Sequence, residues 1–283
     1  MVRTGFRMEE FERMHGEIKP ESRVHHVNIH DQTGFTISDE LLAIFVPIVL
    51  YWVCSGIYVL LCSFENYRLH SKIDEDKKNL VSKRAVIKRV LFNQSIKAVV
   101  VSLLFKVTGS NSGDVASPKP SLMVLARQFV TAMLVFDTWQ YFMHRYFHQN
   151  EFLYKHFHSQ HHRLIVPYAF GAIYHHPFEG LISDVIGSAL TVPLSDMSPR
   201  ASIFFFSFAT IKNVDDHCGL WLPRGSPFHI FFRNNQLYGS KYNFATPFFV
   251  HWDRILGTHM PYSLDERAGG GFEARTADDN KND

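Results

Sequence analysis

The sequence predicts an all-α integral membrane protein, a helical bundle of about three or four membrane segments with a histidine-rich, metal-binding cap on the cytosolic side. Three observations support this prediction. Residues 41–62 carry no charged side chain, which is enough apolar helix to cross a hydrocarbon layer of about 30 Å. Further helix-length apolar stretches occur at residues 90–107 and 122–143. Six of the 17 histidines fall within residues 144–162.

The first half of the chain is organised as a leader followed by membrane helices. Residues 1–40 are charged and polar, so we expect a loosely ordered leader rather than a cleaved signal peptide. Residues 41–143 should hold the membrane helices, and the positive-inside rule places their basic loop, residues 63–89, in the cytosol. The stretch after this loop contains Lys97 and Lys106. It either crosses the membrane with its lysines snorkelling or lies at the interface.

The second half, residues 144–265, is expected to form the domain that carries the site. It includes two short apolar segments within residues 181–213, and each is near the lower length limit for a membrane span. They form either a membrane hairpin or one span with an interfacial partner. We predict the hairpin, because His217 must return to the side of the histidine-rich stretch if both serve one site. The polar, glycine-rich residues 266–283 are expected to be disordered.

The spacing of the histidines indicates a metal site. On a helix, His144 and His148 project from one face, and His158 shares a face with His161 and His162. Two such faces brought together form a cage of neutral imidazoles, which suits zinc, copper, nickel or iron. The candidate ligands are His144, His148, His158, His161, His162, His176 and His217. They outnumber the protein ligands of a typical catalytic zinc, which favours two metal ions.

Other polar residues have simpler interpretations. Asp137 lies about two turns before His144, so it either supports a metal-bound imidazole or makes a helix-end hydrogen bond. The isolated His229, His251 and His259 are expected to be structural.

Several function classes are excluded by motifs that the sequence lacks. It has no His-Glu-x-x-His, P-loop, nucleophile elbow, dinucleotide fingerprint or basic helix suited to nucleic acid. Its three cysteines imply neither a disulfide framework nor a cysteine-rich zinc site. Two metals beside a bilayer, without a motif for an organic cofactor, fit an oxygen-activating iron centre that attacks the methylene C–H bonds of an acyl chain. Composition alone does not separate iron from zinc.

The histidine motifs, together with Tyr-His-His-Pro-x-Glu-Gly and Asp-Asp-His-Cys-Gly, resemble the membrane fatty acid hydroxylase/sterol desaturase superfamily. The segments WQYFMHRYFH, KHFHSQHHRL and WDRILGTHMPYSL further resemble the plant sphingoid-base hydroxylases, the sphinganine carbon-4 monooxygenases. The resemblance implies an endoplasmic-reticulum membrane enzyme with two non-haem iron ions, which zinc can replace in a purified form. Such an enzyme uses dioxygen to hydroxylate carbon 4 of a dihydrosphingosine-type long-chain base, or of dihydroceramide, in sphingolipid biosynthesis. The product is phytosphingosine.

The resemblance also implies partners. Electrons would come from cytochrome b5, an acidic protein that the basic loop can guide electrostatically. A homo-oligomer, or a hetero-oligomer with other sphingolipid enzymes, is compatible with the resemblance, whereas nucleic acid is not an expected partner. Two alternatives are a sterol methyl oxidase or desaturase of the same superfamily and a non-catalytic metal-binding subunit that pairs with an intact hydroxylase.

The chain departs from the family pattern at one point. The family carries a third histidine box, another His-x-x-His-His, just before the segment that begins here at Gln236. In this sequence Asn235 runs directly into Gln236, so the box is missing. The two-metal centre is therefore predicted to lack ligands, and this chain to have reduced or no turnover.

Overall fold

Helices make up most of the structure, and three of them are long and apolar enough to cross a membrane. The structure is a computed structural model that describes residues 38–108, 120–221 and 242–276. The candidate spans among these residues are α1 (Asp39–Leu61), α3 (Lys83–Thr108) and α4 (Leu122–Gln149), with the short α2 (Lys72–Lys78) between the first two. The predicted helical membrane bundle is confirmed.

Shorter elements follow α4. They are α5 (Glu151–His156), a 3₁₀ helix (His158–Arg163), a second 3₁₀ helix (Ala169–Gly171), α6 (Pro177–Gly180), a π-helix (Leu181–Ile186), α7 (Gly187–Ser195), α8 (Pro199–Asp216) and α9 (His251–Ile255), then strands β1 (Tyr262–Glu266) and β2 (Phe272–Thr276). Local sequence explains several helix starts. Ser121 and Ser198 accept hydrogen bonds from the first-turn N–H groups of α4 and α8, and Pro199 occupies the first position of α8.

The predicted hairpin over residues 181–213 is present as two helical arms. The first arm runs through α6, the π-helix and α7, and the second is α8. Asp196 turns the chain between them with a φ of 56°. The first arm packs on α4 and the second on α1. Their insertion into the membrane stays a prediction.

Lys97 shows how α3 is accommodated in this bundle. Its ammonium forms an ion pair with Asp184 of the π-helix, and only 20% of its side chain is exposed. Whether α3 crosses the membrane with snorkelling lysines or lies at the interface stays a prediction. A charge inside a helical bundle is stabilised by an opposite charge, and the neighbouring arm supplies one.

The helices arrange the chain into two ends. At one end, Arg200 pairs with Asp39 at 3.0 Å, which joins the α7–α8 turn to the start of α1. At the other end, the basic loop meets the histidine-rich segment, because the Leu80 N–H donates to the Arg163 carbonyl at 2.9 Å. The predicted grouping of loop 63–89 with the histidines is thus present in the structure. The compartment that this end faces stays a prediction.

The C-terminal region differs from the expectation of disorder. Strands β1 and β2 pair in antiparallel register, and the Phe272 N–H donates to the Arg68 carbonyl at 2.8 Å. Gly270 and Gly271 adopt φ values of +89° and +78° in the connecting turn, a conformation that glycine tolerates. The prediction is wrong for residues 266–276, because contact with a distant loop orders a polar segment. Residues 277–283 and leader residues 1–37 lie outside the described residues.

Candidate metal centre

Four imidazole rings converge at the end of the bundle that carries the basic loop. Their ligand atoms all lie within 4.8 Å of one another, and the residues are His144, His148, His158 and His162, here called the four-histidine cluster. The Nε2 atom of His148 lies 3.2 Å from that of His144, 2.9 Å from that of His158 and 3.2 Å from that of His162. The Nε2 atoms of His158 and His162 are 3.0 Å apart.

Two elements separated by α5 build this cluster. His144 and His148 are one turn apart near the end of α4, and His158 and His162 are four residues apart in the 3₁₀ helix that follows α5. Asn150 accepts the Leu153 N–H at 3.0 Å and begins α5 directly after α4. The chain therefore reverses at once, and the two histidine faces meet as the spacing predicts.

The Nε2 atoms of the cluster are close enough to one another to share a transition-metal ion. Imidazole nitrogens bind zinc at about 2.1 Å, and a tetrahedral arrangement at that radius separates neighbouring nitrogens by about 3.4 Å. Four of the six separations are slightly shorter, at 2.9–3.2 Å, and all six lie within 4.8 Å. Four lone pairs pointing at one centre repel each other unless a cation lies between them. The donor set is therefore suited to a metal ion.

Hydrogen bonds at the opposite ring nitrogens orient two members of the cluster. The Nδ1–H group of His158 donates to Glu179 Oε1 at 2.8 Å, and that of His144 donates to the Phe244 carbonyl at 3.0 Å. We assign these tautomers because both partners are acceptors. Each bond leaves the Nε2 lone pair directed at the centre, as in metal sites whose imidazoles are held by carboxylate or carbonyl partners.

The segment that contains Phe244 is held in turn by two buried carboxylates. Asp253 accepts the N–H groups of Phe244 and Ala245, both at 2.9 Å. Asp137 accepts the N–H groups of Phe248 and Phe249 at 3.0 and 2.6 Å. Asp137 thus anchors the backbone of this segment, so neither of its two expected roles, an imidazole partner or a helix-end hydrogen bond, is observed. A carboxylate buried in an apolar helix face needs N–H donors, and the segment beside it supplies them.

Electrostatics keeps the cluster in its metal-binding state. Burial and the neighbouring imidazoles lower the pKa of His158, and burial together with His161 and His144 lowers the pKa of His162 to about 3. Both rings are therefore neutral near pH 7, the form in which imidazole binds metal. Burial and the charge of Asp184 raise the pKa of Glu179, which favours the protonated form of this carboxyl group.

The other predicted ligands do not join the cluster. The ring centroids of His161 and His217 are 5.8 Å apart, and these two residues are here called the histidine pair. The pair adjoins the cluster, since His161 is also 5.8 Å from His158. His176 lies elsewhere: its Nδ1 accepts the Phe178 N–H at the start of α6, and its ring packs on Phe157. Its lone pair serves as a helix cap, so the structure does not support His176 as a ligand.

The structure describes only some of the residues for which the isolated histidines and the missing box gave predictions. His251 packs between the rings of Phe249 and Trp252, at 5.8 and 5.2 Å, as a structural residue would. His229 and the junction of Asn235 with Gln236 lie outside the described residues. The sequence reasoning missed the Phe244 carbonyl and Glu179 as partners of the cluster. Only Glu179 had a signal, its place in the Tyr-His-His-Pro-x-Glu-Gly motif.

A cavity of about 620 Å³ extends from the cluster into the bundle. Its volume is within the range of small-molecule and cofactor sites. Helices α1, α3, α4, α7 and α8 contribute to its wall. His144, His158 and His161 line one end, whereas Asp39, Thr108 and Pro199 line the other. The wall between them is largely apolar and includes Ile44, Val101, Phe136 and Val192. An elongated apolar cavity that ends at an imidazole cluster is suited to a lipid chain.

Comparison with known proteins agrees with this geometry. Residues 129–258 match the fatty acid hydroxylase family. The chain is 65% identical to Sphinganine C4-monooxygenase 1 of Arabidopsis thaliana over 258 residues, which covers 88% of this chain and 99% of the relative. This chain belongs to the fatty acid hydroxylase family. The alignment spans 258 positions, whereas 88% of the 283 residues of this chain is about 249 residues. The relative therefore has about nine residues at positions where this chain has none.

Two more distant relatives of this hydroxylase carry different names. Very-long-chain aldehyde decarbonylase GL1-9 of Oryza sativa subsp. japonica is 54% identical over 250 residues, covering 84% of this chain and 96% of the relative. Sphingolipid C4-hydroxylase sur2 of Schizosaccharomyces pombe is 39% identical over 254 residues, covering 76% and 86%. No solved structure matches the chain.

Proposed function

We propose that this chain is a membrane monooxygenase that hydroxylates carbon 4 of dihydrosphingosine-type long-chain bases to give phytosphingosine. The observation that carries the proposal is the apolar cavity that ends at the four-histidine cluster. Such a cavity presents one methylene group of a lipid chain to a metal and keeps water away from it. The names of the Arabidopsis and Schizosaccharomyces relatives support this substrate class.

The chain's own residues bind and orient the components of the reaction. The fatty acid hydroxylase family uses iron, and the four-histidine cluster would hold one ion. Bound iron supplies the oxidising power that a methylene C–H bond requires. Glu179 and the Phe244 carbonyl keep two of the imidazoles in position. The cavity wall binds the hydrocarbon chain and excludes water.

We assign a second iron ion to the histidine pair together with the third histidine box. In this chain the box is missing, so the pair alone remains for the second ion. A site with two imidazoles has fewer ligands than a typical catalytic metal site. We therefore expect this chain to bind one iron ion firmly and to have reduced turnover.

The location and the electron donor are part of the same proposal. We place the protein in the endoplasmic-reticulum membrane with its cluster toward the cytosol, and we assign cytochrome b5 as its electron donor. The exposed Lys77, Lys78 and Arg84 lie in or beside the basic loop, at the same end of the bundle as the cluster. A positive surface there would attract an acidic electron carrier. Association with itself or with other sphingolipid enzymes stays a prediction.

A second candidate function is aldehyde decarbonylation. It is favoured by the name of the rice relative, which is more similar to this chain than the Schizosaccharomyces one. The apolar cavity would also accept the chain of an aldehyde. The comparisons do not support the sterol alternative.

Expression in yeast cells that lack their own C4-hydroxylase tests both functions. Three forms are compared: the chain itself, a form with a His-x-x-His-His segment inserted between Asn235 and Gln236, and a matched insertion with alanine in place of each histidine. Mass spectrometry should find abundant phytosphingosine only with the histidine insertion. Equal amounts from all three forms would refute the reduced turnover. Alkanes without phytosphingosine from the restored form would favour decarbonylation.

A further inference from the structure

The apolar cavity runs along one face of each of three helices, α1, α3 and α8. Each helix contributes residues spaced three or four positions apart to its wall. On α1 these residues extend from Asp39 to Tyr51, and on α3 they extend from Gln94 to Thr108. At 1.5 Å per residue, the two stretches are about 18 and 21 Å long. The cavity therefore has one long axis, and its length is comparable with that of a lipid chain.

One end of this axis lies at the histidines. The Asn93 side chain, beside Gln94 on α3, donates to the His175 carbonyl at 2.9 Å. The preceding carbonyl, that of Tyr174, lies 3.3 Å from Nδ1 of His161 in the histidine pair. Gln94 in turn accepts a hydrogen bond from α1 at 2.9 Å. The start of the α3 stretch and the end of the α1 stretch are thus held together beside the metal centre.

The opposite end of the axis is charged. Helices α1 and α8 both begin there, and the ion pair of Asp39 with Arg200 at 3.0 Å joins their first turns. Asp39, Glu40 and Pro199 belong to the cavity wall. A methylene group that displaces water from a charged side chain raises the free energy of the complex. A hydrocarbon chain in the cavity should therefore end before it reaches this ion pair.

A cavity of this form discriminates between chains by their length rather than by burial. The lipid comes from a bilayer whose interior is as apolar as the cavity wall, so an additional methylene group gains little from the transfer. A chain that is too short leaves wall atoms without van der Waals contacts. A chain that is too long must bend or contact the charged end. Binding should consequently be strongest at one intermediate length.

We propose that the cavity selects its substrate by chain length, and that the end formed by Asp39 and Pro199 sets the longest chain that binds. This inference rests on the proposed function, which places carbon 4 at the cluster. An extended chain advances about 1.2 Å per single bond, as an extended polypeptide does. The cavity therefore holds about 15 to 17 bonds beyond carbon 4. The longest base that fits has about 20 carbon atoms.

Thermal unfolding of the purified full-length chain in detergent tests the inference without requiring turnover. A ligand that binds only the folded protein raises its Tm. The probes are sphinganine homologues of about 12 to 24 carbon atoms, each added at the same mole fraction. The rise in Tm should be largest at about 18 to 20 carbon atoms and should disappear beyond about 22.

A substitution near the charged end should shorten the preferred chain. Ala43 belongs to the cavity wall one turn from Asp39, so Ala43→Phe removes about 6 Å from the length of the cavity. The largest rise in Tm should move to chains about five carbon atoms shorter. Leu41→Phe changes an exposed position of the same helix outside the cavity wall and is the matched control. It should leave the preferred length unchanged.

A second variant has the opposite expected sign, which damage to the fold does not imitate. Asp39→Ala combined with Arg200→Ala removes both charges from the end and leaves neither partner unpaired. Homologues longer than the limit of the unaltered chain should then raise the Tm. The matched control is Asp74→Ala combined with Lys78→Ala, which removes another surface ion pair of 3.0 Å. It should not extend the limit.

Three results would overturn the inference. They are a rise in Tm that does not depend on chain length in the unaltered chain, a preferred length that Ala43→Phe does not shorten, and an upper limit that stays in place after both end charges are removed. Failure of the proposed function has a different signature. There the form with the restored box makes no phytosphingosine, whatever the dependence of Tm on chain length.

Discussion

The four-histidine cluster and the histidine pair consist of the same side chain, yet they differ in how the chain builds them. The cluster comes from the end of α4 and the 3₁₀ helix after α5, all within residues 144–162, and His144 and His158 each have a hydrogen-bonded orienting partner. The pair joins the 3₁₀ helix to the end of α8, and its remaining partners would come from the missing box. In the proposed centre, the first site is built from local sequence, whereas the second would depend on a segment that this chain lacks. The proposal therefore predicts that metal binding and turnover can be lost separately.

The largest expected effect comes from breaking the cluster. His148 Nε2 lies within 3.2 Å of the Nε2 atoms of His144, His158 and His162, so His148→Ala removes the central ligand. We expect iron affinity to fall more than about 100-fold, because losing a ligand costs more than losing its hydrogen-bond partner. Elemental analysis of purified protein measures this. The matched control is His156→Ala, an exposed histidine of the same segment. Retention of iron by His148→Ala would show that the cluster is not the metal site.

The next largest expected effect tests whether the histidine pair belongs to a second iron site separate from the cluster. His217→Ala should leave the iron content of this chain unchanged, because in the proposed function only the cluster holds iron firmly here. In the form with the restored box, the same substitution should remove about one iron ion per chain. Elemental analysis measures the iron content of four proteins: this chain and the form with the restored box, each with and without His217→Ala. Equal iron loss in both backgrounds would mean that His217 serves the cluster rather than a second site.

A smaller effect tests the orientation of the cluster. Glu179→Ala removes the acceptor of the His158 hydrogen bond and should weaken iron binding about 10- to 100-fold. Glu179→Gln retains an acceptor oxygen and should stay within severalfold of the unaltered chain. Competition with a chelator measures both affinities. If the alanine and glutamine variants had the same iron affinity, the hydrogen bond to His158 would not explain how Glu179 affects iron binding.

The smallest effect on iron affinity is expected in the segment that contains Phe244, whose carbonyl orients His144. Asp253→Asn leaves one acceptor oxygen where two backbone N–H groups now donate. The free energy of unfolding should fall by about 1.5–3 kcal/mol, the value of a hydrogen bond to a charged group. Iron affinity should change only severalfold, because Phe244 reaches the metal through His144. Denaturant titration in detergent measures stability, with the exposed Asp76→Asn as the control. A loss of iron as large as that of His148→Ala would contradict this ranking.

Sequence reasoning predicted the site to different degrees in its different parts. The i,i+4 spacing of His144 with His148 and of His158 with His162 predicted the faces that meet. The same reasoning included His176, where an adjacent proline and a helix start use the ring as a cap instead. Helical spacing states which side chains share a face. It does not state which acceptor or donor a ring nitrogen finds after folding.

The sequence by itself determined the apolar spans, the two histidine faces and the family. These features are local, because helix periodicity and span length depend on residues a few positions apart. Only the tertiary structure decided that Glu179 orients His158 from 21 positions away, that Lys97 meets Asp184 across 87, and that the Phe244 carbonyl orients His144 across 100. Each of these contacts forms because a polar group buried by helix packing must find a partner wherever the packing places one.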